Sequence, residues 1–341
     1  MNDAAIKVKS GFIPNAGAAS RIAVIDDWQK IAHSSADWSP LEARAKLVFF
    51  EEPFPDEGAA AKALADFDIV LSMRERTPFP VSLIERLPNL RMFGMTGRRA
   101  LAIDSTAMIE RGITVCVTGG GESGAETAEH TLGLILAAAR RIPAGDAAIR
   151  AGRFQAGVNP GFGLAGKTLG VIGLGRIGSL VAGYGRALDM TVLGWSHNLT
   201  PARAAAAGVA AVSKEELLSR ADIVSLHLVL APETTGIIGP AELALMKPGA
   251  ILVNTSRASL VDEDALIESL RAGRLIAALD VFNQEPLPPD HPLCLVPNTV
   301  LTPHFGYGTQ EVLAEFYRHS IENALAFLDG KPIRVYRPQD T

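Results

Sequence analysis

From Arg21 onward, short apolar runs alternate with stretches whose apolar residues recur at helical spacing. The runs RIAVI, KLVFF, DIVLSM, LRMFGM and ITVC are compact and rich in β-branched or aromatic side chains, as strands covered on both faces require. Between them, GAAAKALA and STAMIERG carry the three-and-four spacing of helices. A first α/β unit is therefore expected over residues 21–122. Near Thr118 the run TGGGESG interrupts the pattern, and a long helical stretch follows, beginning at about Ala125 and continuing past Arg141. The chain is expected to cross into a second unit there.

The alternation resumes with TLGVI, TVLGW, AAV, DIVSLHL, AILVN, IAALDV and TVLTPH as strands. Helix signals separate them: Ser213 and Glu216 form a capping-box pair, Pro248 and Gly249 stop AELALM, and Asp262 precedes ALIESLRAGR. A last helix is expected from about Thr309 to Asp329, stopped by Gly330 and Pro332. It lies too far past the final strand to belong with it, so a return to the first unit is expected. The second unit then covers residues 123–306 and the returning segment 307–341. Residues 1–20, small and polar with Gly and Pro, read as a loosely docked arm.

The stretch from Lys167 to Asn198, KTLGVIGLGRIGSLVAGYGRALDMTVLGWSHN, reads as strand, glycine turn, helix and strand. Gly173, Gly175 and Gly178 form a Gly-x-Gly-x-x-Gly pattern at the first strand's carboxyl end. The first glycine permits a sharp turn, the second admits a pyrophosphate without a Cβ in its way, and the third lets the helix lie close to the strand. Arg176 and Ile177 open that helix, offering backbone N–H groups and the positive end of its dipole to phosphate oxygens. A glycine turn can be only a turn, but one flanked by strand, helix and second strand points to a bound dinucleotide. The acidic residue that commonly holds the ribose 2′-hydroxyl is missing, its place at the second strand's end taken by Ser196, followed by His197 and Asn198. NAD is the preferred cofactor on this reading and NADP stays open, with Arg203 the nearby cation able to attract a 2′-phosphate.

Composition narrows the classes. With 48% hydrophobic and 20% charged residues in 341, the chain has the makings of a globular protein with substantial cores. A formal charge of −5 without a basic block gives a nucleic-acid backbone little to bind. Cys116 and Cys294 lie far apart with no metal-ligand spacing, so packed thiols in a reducing cytoplasm are expected, and no metal. The N-terminal run MNDAAIKVKSGFIPNAGAASR lacks the apolar core of a signal peptide, and no window reaches the ~18 uninterrupted apolar residues of a membrane span.

Ligands on open parallel sheets bind beyond the carboxyl ends of the strands. Arg257 follows AILVNTS, Asp280 ends IAALD, Glu285 comes five residues later, and His304 ends TVLTPH. A histidine there can take the hydroxyl proton as hydride leaves a hydroxy acid, and a carboxylate on its other ring nitrogen fixes the tautomer. An arginine holds a substrate carboxylate through its planar fork. A surface histidine, a structural ion pair and a capping carboxylate are the plainer readings of the same three residues.

Through VIGLGRIGSLVA, HLVLAPETTGIIG, LMKPGAILVNTSRASLVDEDAL, ALDVFNQEPLP and TPHFG, the chain resembles the D-isomer-specific 2-hydroxyacid dehydrogenases, over a span from about Asp68 to Gly306. The resemblance implies an α/β protein of two doubly wound parallel-sheet domains, a Rossmann-type NAD(P)-binding domain inserted into a flavodoxin-like substrate domain. It implies hydride transfer between nicotinamide C4 and C2 of a D-2-hydroxy acid/2-oxoacid pair. His304 is then the acid/base, Glu285 its partner and Arg257 the holder of the substrate carboxylate. Asp280 meets the nicotinamide carboxamide, Arg176 and Ile177 the pyrophosphate, and Ser196, His197, Asn198, His227, Thr234 and Thr255 join the glycines in the cofactor site. Arg74 and the turn at Gly97 and Arg98 are the implied substrate contacts of the first unit, although Arg98 replaces the usual apolar residue. Ala258 stands for the family's usual glycine and Val229 for a frequent proline, and neither removes a functional group.

His130, His227 and Trp195 read as packing or pocket lining. Leu132, Leu134, Ile135, Ala138 and Ala139 after Gly124 are either core or a symmetric contact, and the resemblance favours a homodimer through the cofactor domain. Among enzymes the alternatives are a glyoxylate or hydroxypyruvate reductase and a phosphoglycerate dehydrogenase, the last disfavoured by the few residues after Gly330. Outside enzymes, the alternative is a dinucleotide-sensing, corepressor-like interaction protein.

Overall fold

The computed structural model describes residues 19–97, 102–121 and 124–338. The chain divides into two compact units: Gly121–Gly308, and the residues up to Gly120 together with those from Thr309. Each division lies two residues from the one expected, at 122 and at 306. The arm expected over residues 1–20 falls, up to residue 18, outside the described residues, and Ser20 already opens a strand.

The first unit is a sheet of β1 (Ser20–Ile25), β2 (Ala45–Phe49), β3 (Ile69–Ser72), β4 (Met92–Met95) and β5 (Thr114–Val117), in the order β2-β1-β3-β4-β5. Neighbouring strands are parallel throughout. β3 and β4 are buried along their whole length, which is why their sequences are apolar runs rather than alternations. Phe79, Leu83, Ile84 and Phe93 anchor the core on one face. The helix Gln310–Leu328, capped by the Thr309 hydroxyl, belongs to this unit and buries Phe316, Tyr317, Ile321 and Ala324. Asn323 on the same helix donates to the Val117 carbonyl at the end of β5.

The second unit is a sheet of β6 (Thr168–Ile172), β7 (Thr191–Trp195), β8 (Ala210–Ala211), β9 (Ile223–Leu226), β10 (Ile251–Asn254), β11 (Ile276–Leu279) and β12 (Thr299–Leu301). Its parallel order is β12-β11-β10-β9-β6-β7-β8, the winding of dinucleotide-binding sheets, with the order reversing between β6 and β9. Every strand expected from the apolar runs is present in both units.

The long helix after Gly124 is a correction: it ends at Ala139, and a separate helix runs from Ile142 to Arg150. Arg141 between them takes φ +56°. Pro143 is the reason, because it has no N–H to donate and its ring would meet the carbonyl of Ala139 in a continuous helix. Leu134, Ile135, Ala138 and Ala139 are buried in the core of their own unit, which leaves Leu132 partly exposed. Among the described residues no helix is long and apolar enough to cross a membrane.

Candidate active site

Parallel strands end on one edge of a sheet, so the chemistry of the second unit can be followed along that edge from β7 to β12. At β6, Gly173 takes φ +100°, and a Cβ there would lie 2.6 Å from the carbonyl of His227. A Cβ on Gly178 would lie 1.9 Å from the Gly173 oxygen. The protein itself thus demands the first and third glycines. Gly175 differs, since a Cβ there meets nothing within 4 Å. The helix Arg176–Ala187, with Ile177 in its first turn, starts at Gly175 without a side-chain cap, so its positive end opens onto that space. A pyrophosphate fits there by charge and by room.

Beside the turn, at the end of β9, His227 donates its backbone N–H to Ile172 and places Nε2 2.8 Å from Ser225 Oγ. Its Nδ1 is buried without a hydrogen-bond partner, and burial pushes the imidazole pKa down to about 4, so the ring is neutral at physiological pH. An orphaned buried nitrogen is costly unless something satisfies it, and the backbone carbonyl and Cβ of the same residue lie against the glycine turn. On the other side, past β7, the His197 ring lies 5.0 Å from that of Trp195. Arg203 donates to the carbonyl of Asn198 at 2.9 Å and to that of Leu174 at 3.3 Å, tying the glycine loop to the β7 end next to Ser196.

Arg257, Glu285 and His304 follow the adjacent strands β10, β11 and β12. His304 takes φ +49° after β12, and its Nδ1 lies 2.6 Å from Glu285 Oε2. Glu285 Oε1 accepts from the Phe282 N–H at 2.9 Å, so the carboxylate is held at both oxygens. Past β10, Arg257 donates to the Ser256 carbonyl at 2.8 Å, and its own carbonyl accepts from buried Asn254. Ser256 Oγ reaches back to Leu226 O, so three hydrogen bonds involving the side chains of Asn254 and Ser256 shape the loop on which Arg257 sits.

Three expected cofactor ligands engage partners within the protein. Thr234, 6% exposed, accepts from Ala231 N at 2.8 Å and donates to Val229 O at 2.8 Å, so its hydroxyl clasps its own loop. Asp280 is 1% exposed and turned into the protein, where Thr302, His130, Phe305 N and Gly306 N share its two oxygens. Thr255 Oγ1 lies 2.9 Å from Thr131 Oγ1 rather than open to a ligand.

In the first unit, Arg74 after β3 takes φ +61°, and its backbone N–H donates to Thr96 Oγ1 at 2.6 Å. Its guanidinium lies over Gly97, where a Cβ would come within 2.2 Å of it. The two expected substrate contacts are therefore neighbours, but the Gly97 N–H is taken by Thr118 Oγ1 at 2.9 Å. Arg98, the third, lies outside the described residues. Asp26 at the end of β1 was not anticipated: it is 1% exposed and bonded to Thr77 Oγ1 at 2.5 Å and Thr77 N at 3.2 Å. Burial raises its pKa from 3.8 to about 6 against the opposing pull of Thr77 and Arg76. The folded protein thus holds a proton that the unfolded chain has released, so the stabilisation it carries below about pH 3.8 is lost as the pH rises through about 6. Asp26→Asn should gain on the wild type by roughly 2–3 kcal/mol in urea unfolding between about pH 4 and about pH 8. An equal difference at both values would remove Asp26 from this role.

Residues 132–306 match the family model of the D-isomer specific 2-hydroxyacid dehydrogenase NAD-binding domain. A glyoxylate reductase of Aeropyrum pernix is 40% identical over 82% of this chain and 85% of its own. The chain belongs to the D-isomer-specific 2-hydroxyacid dehydrogenases. A D-3-phosphoglycerate dehydrogenase of Archaeoglobus fulgidus is 38% identical over 77% of this chain, and the chain spans about half the length of that enzyme. The crystal structure of a phosphoglycerate oxidoreductase from Vibrio cholerae superposes with a TM-score of 0.86 at 34% identity, covering 91% of this chain and 99% of the other. The second unit is accordingly the NAD-binding domain of a 2-hydroxyacid dehydrogenase.

His130, read as packing or pocket lining, is also a hydrogen-bonding group: its Nε2 lies 2.9 Å from Thr302 Oγ1 and 3.2 Å from Asp280 Oδ1. A signal existed, since an aspartate closing the apolar strand IAAL had to be buried and needed donors from elsewhere.

Proposed function

We propose that this protein reduces a small 2-oxoacid to the D-2-hydroxy acid with NADH, admitting NADPH, and catalyses the reverse oxidation, with His304 as the acid/base. The observation that carries the reading is the 2.6 Å contact of His304 with Glu285 on the sheet edge that also bears the glycine turn. Bound nicotinamide supplies or receives the hydride at C2. Glu285 can only accept, so the proton between them sits on Nδ1 of His304, and Nε2 is the nitrogen left to exchange a proton with the substrate oxygen. In reduction, the imidazolium gives its Nε2 proton to that oxygen as C2 becomes tetrahedral. The Phe282 N–H keeps the carboxylate in place against the ring. Arg257 holds the substrate carboxylate through its fork.

The relatives' names, glyoxylate reductase and phosphoglycerate dehydrogenase, support a small acid with an oxygen on C2 as substrate. Arg74, stacked over Gly97, supports a further substrate contact from the first unit. A cytoplasmic protein agrees with the two free cysteines, and a homodimer through the cofactor domain with the exposed Ile142, Ile149 and Phe154 that follow the Ala125–Ala139 helix. The test is a panel of small 2-oxoacids assayed with NADH and with NADPH. Turnover with at least one is expected, and binding of dinucleotide without turnover on any would turn the reading toward a sensor.

Glu285→Gln keeps the side chain's shape and removes its charge. The variant should turn over more slowly in both directions, because an amide that can either donate or accept no longer fixes which ring nitrogen of His304 carries the proton. Steady-state kcat for reduction and for oxidation measures this, and wild-type values in both would reject the partnership.

A further inference from the structure

Beneath the turn that carries His304 lies a set of polar side chains that proton transfer does not use. Asp280, at the carboxyl end of β11, accepts through Oδ1 from Thr302 Oγ1 at 2.6 Å and from Phe305 N at 3.2 Å, and through Oδ2 from Gly306 N at 2.9 Å. His130, from the helix Ala125–Ala139, places Nε2 3.2 Å from the same Oδ1 and 2.9 Å from Thr302 Oγ1. Burial disfavours charge on Asp280, yet the hydrogen bonds from His130 and Thr302 hold its carboxyl below the usual carboxylate range. The tautomer of His130 follows from its partners. Asp280 can only accept, and the single hydroxyl proton of Thr302 is directed at Asp280, so Nε2 of His130 must carry the proton that faces both.

This cluster brackets the acid/base. Thr302 lies two residues before His304, and Phe305 and Gly306 are the two that follow it. His304 itself has φ +49°, a region that costs a non-glycine residue roughly 1–2 kcal/mol and persists only where the surroundings over-determine it. One carboxylate supplies that constraint by gripping the chain on both sides of the residue. The space beside it is filled as well, since a Cβ on Gly306 would lie 3.0 Å from Asp280 Oδ2 and 3.5 Å from His130 Cδ2.

The next residue of the helix, Thr131, is 0% exposed and bonds to Thr255, two residues before Arg257. Consecutive residues of one helix therefore reach the turn of His304 and the strand end of Arg257. We infer that His130 is a positioning residue for the acid/base, acting through Asp280 and Thr302, and that His130 and Thr131 together set the register between His304 and Arg257. The inference rests on the reading of His304 as the acid/base. A displacement of about 1 Å at a reacting group can cost 10²-fold, so losing one anchor among several should cost about tenfold in kcat.

The test uses the full chain with His130→Leu, His130→Gln and Thr302→Val, measuring kcat, NADH affinity by fluorescence titration, and thermal melting. Glutamine can place an amide N–H near the position of Nε2, leucine cannot, and valine removes only the bridging hydroxyl. His130→Leu and Thr302→Val should each lose about tenfold in kcat with NADH affinity kept, and His130→Gln should recover most of it. A wild-type kcat in His130→Leu overturns the inference, as does a loss that glutamine fails to restore or that follows a matching loss of NADH affinity. His304→Ala separates the two readings. If it is inactive while His130→Leu turns over normally, only the positioning role fails; if it turns over normally, both fail.

Discussion

Replacing His304 by alanine is expected to lower turnover by at least ~10²-fold while NADH still binds, on the general scale of positioned acid/base catalysis. The glycine turn belongs to β6, and β9, β10 and β11 lie between it and β12, so the pyrophosphate contacts are remote from the change. Glu285 cannot substitute, because it is held by the Phe282 N–H and reaches only the nitrogen of His304 that faces away from the proposed proton path. Alanine disfavours the φ of +49° at this position, so a loss in His304→Ala alone could reflect a collapsed turn. Asparagine tolerates that region and keeps a donor for Glu285, yet cannot exchange a proton near neutral pH. Both variants should therefore fail in steady-state reduction with unaltered NADH titration. Near-normal turnover in His304→Asn would exclude the imidazole from the reaction.

The fold was readable because buried parallel strands leave the plainest trace in a sequence. IVLS, MFGM and IAAL are uncharged and almost wholly apolar, since both faces are covered, and each gave its strand directly. The glycine turn was readable for a related reason: steric demands at Gly173 and Gly178 are absolute, so they leave a spaced signature. The strand ends were legible as positions but not as orientations. Asp280 stood at the expected edge, yet whether it faced a ligand or the interior depended on His130, 150 residues earlier, and nothing local to IAALD encodes that encounter. Thr234 poses the same question, because a threonine hydroxyl serves a ligand or its own loop equally well until the loop is folded. The broken helix at Arg141 was legible and overlooked: Pro143 states it, but the apolar spacing continues across the break.

Ser196→Asp should move the ratio of kcat/KM values toward NADH by roughly tenfold or more, mainly through loss of NADPH. At the end of β7 an acidic side chain can accept from the 2′-hydroxyl of the adenosine ribose, and it sets a like charge against a 2′-phosphate. The wild type has neither effect, since Ser196 is uncharged and Arg203 stands nearby with its guanidinium fixed to the carbonyls of Asn198 and Leu174. That anchoring bears on the cost. A mobile arginine could swing to neutralise a new aspartate, whereas one already held by two carbonyls must release them to do so. Like charges facing each other in a partly desolvated pocket cost on the order of a few kcal/mol, which is why a tenfold change is a lower bound rather than a central value. Arg203→Ala provides the complementary measurement: it should weaken NADPH and spare NADH if the guanidinium attracts the phosphate. The two variants then push the ratio the same way through different terms, one adding repulsion and the other removing attraction. An unchanged ratio in Ser196→Asp would mean that the end of β7 does not lie beside the ribose, and the dinucleotide would have to leave the glycine turn in another direction.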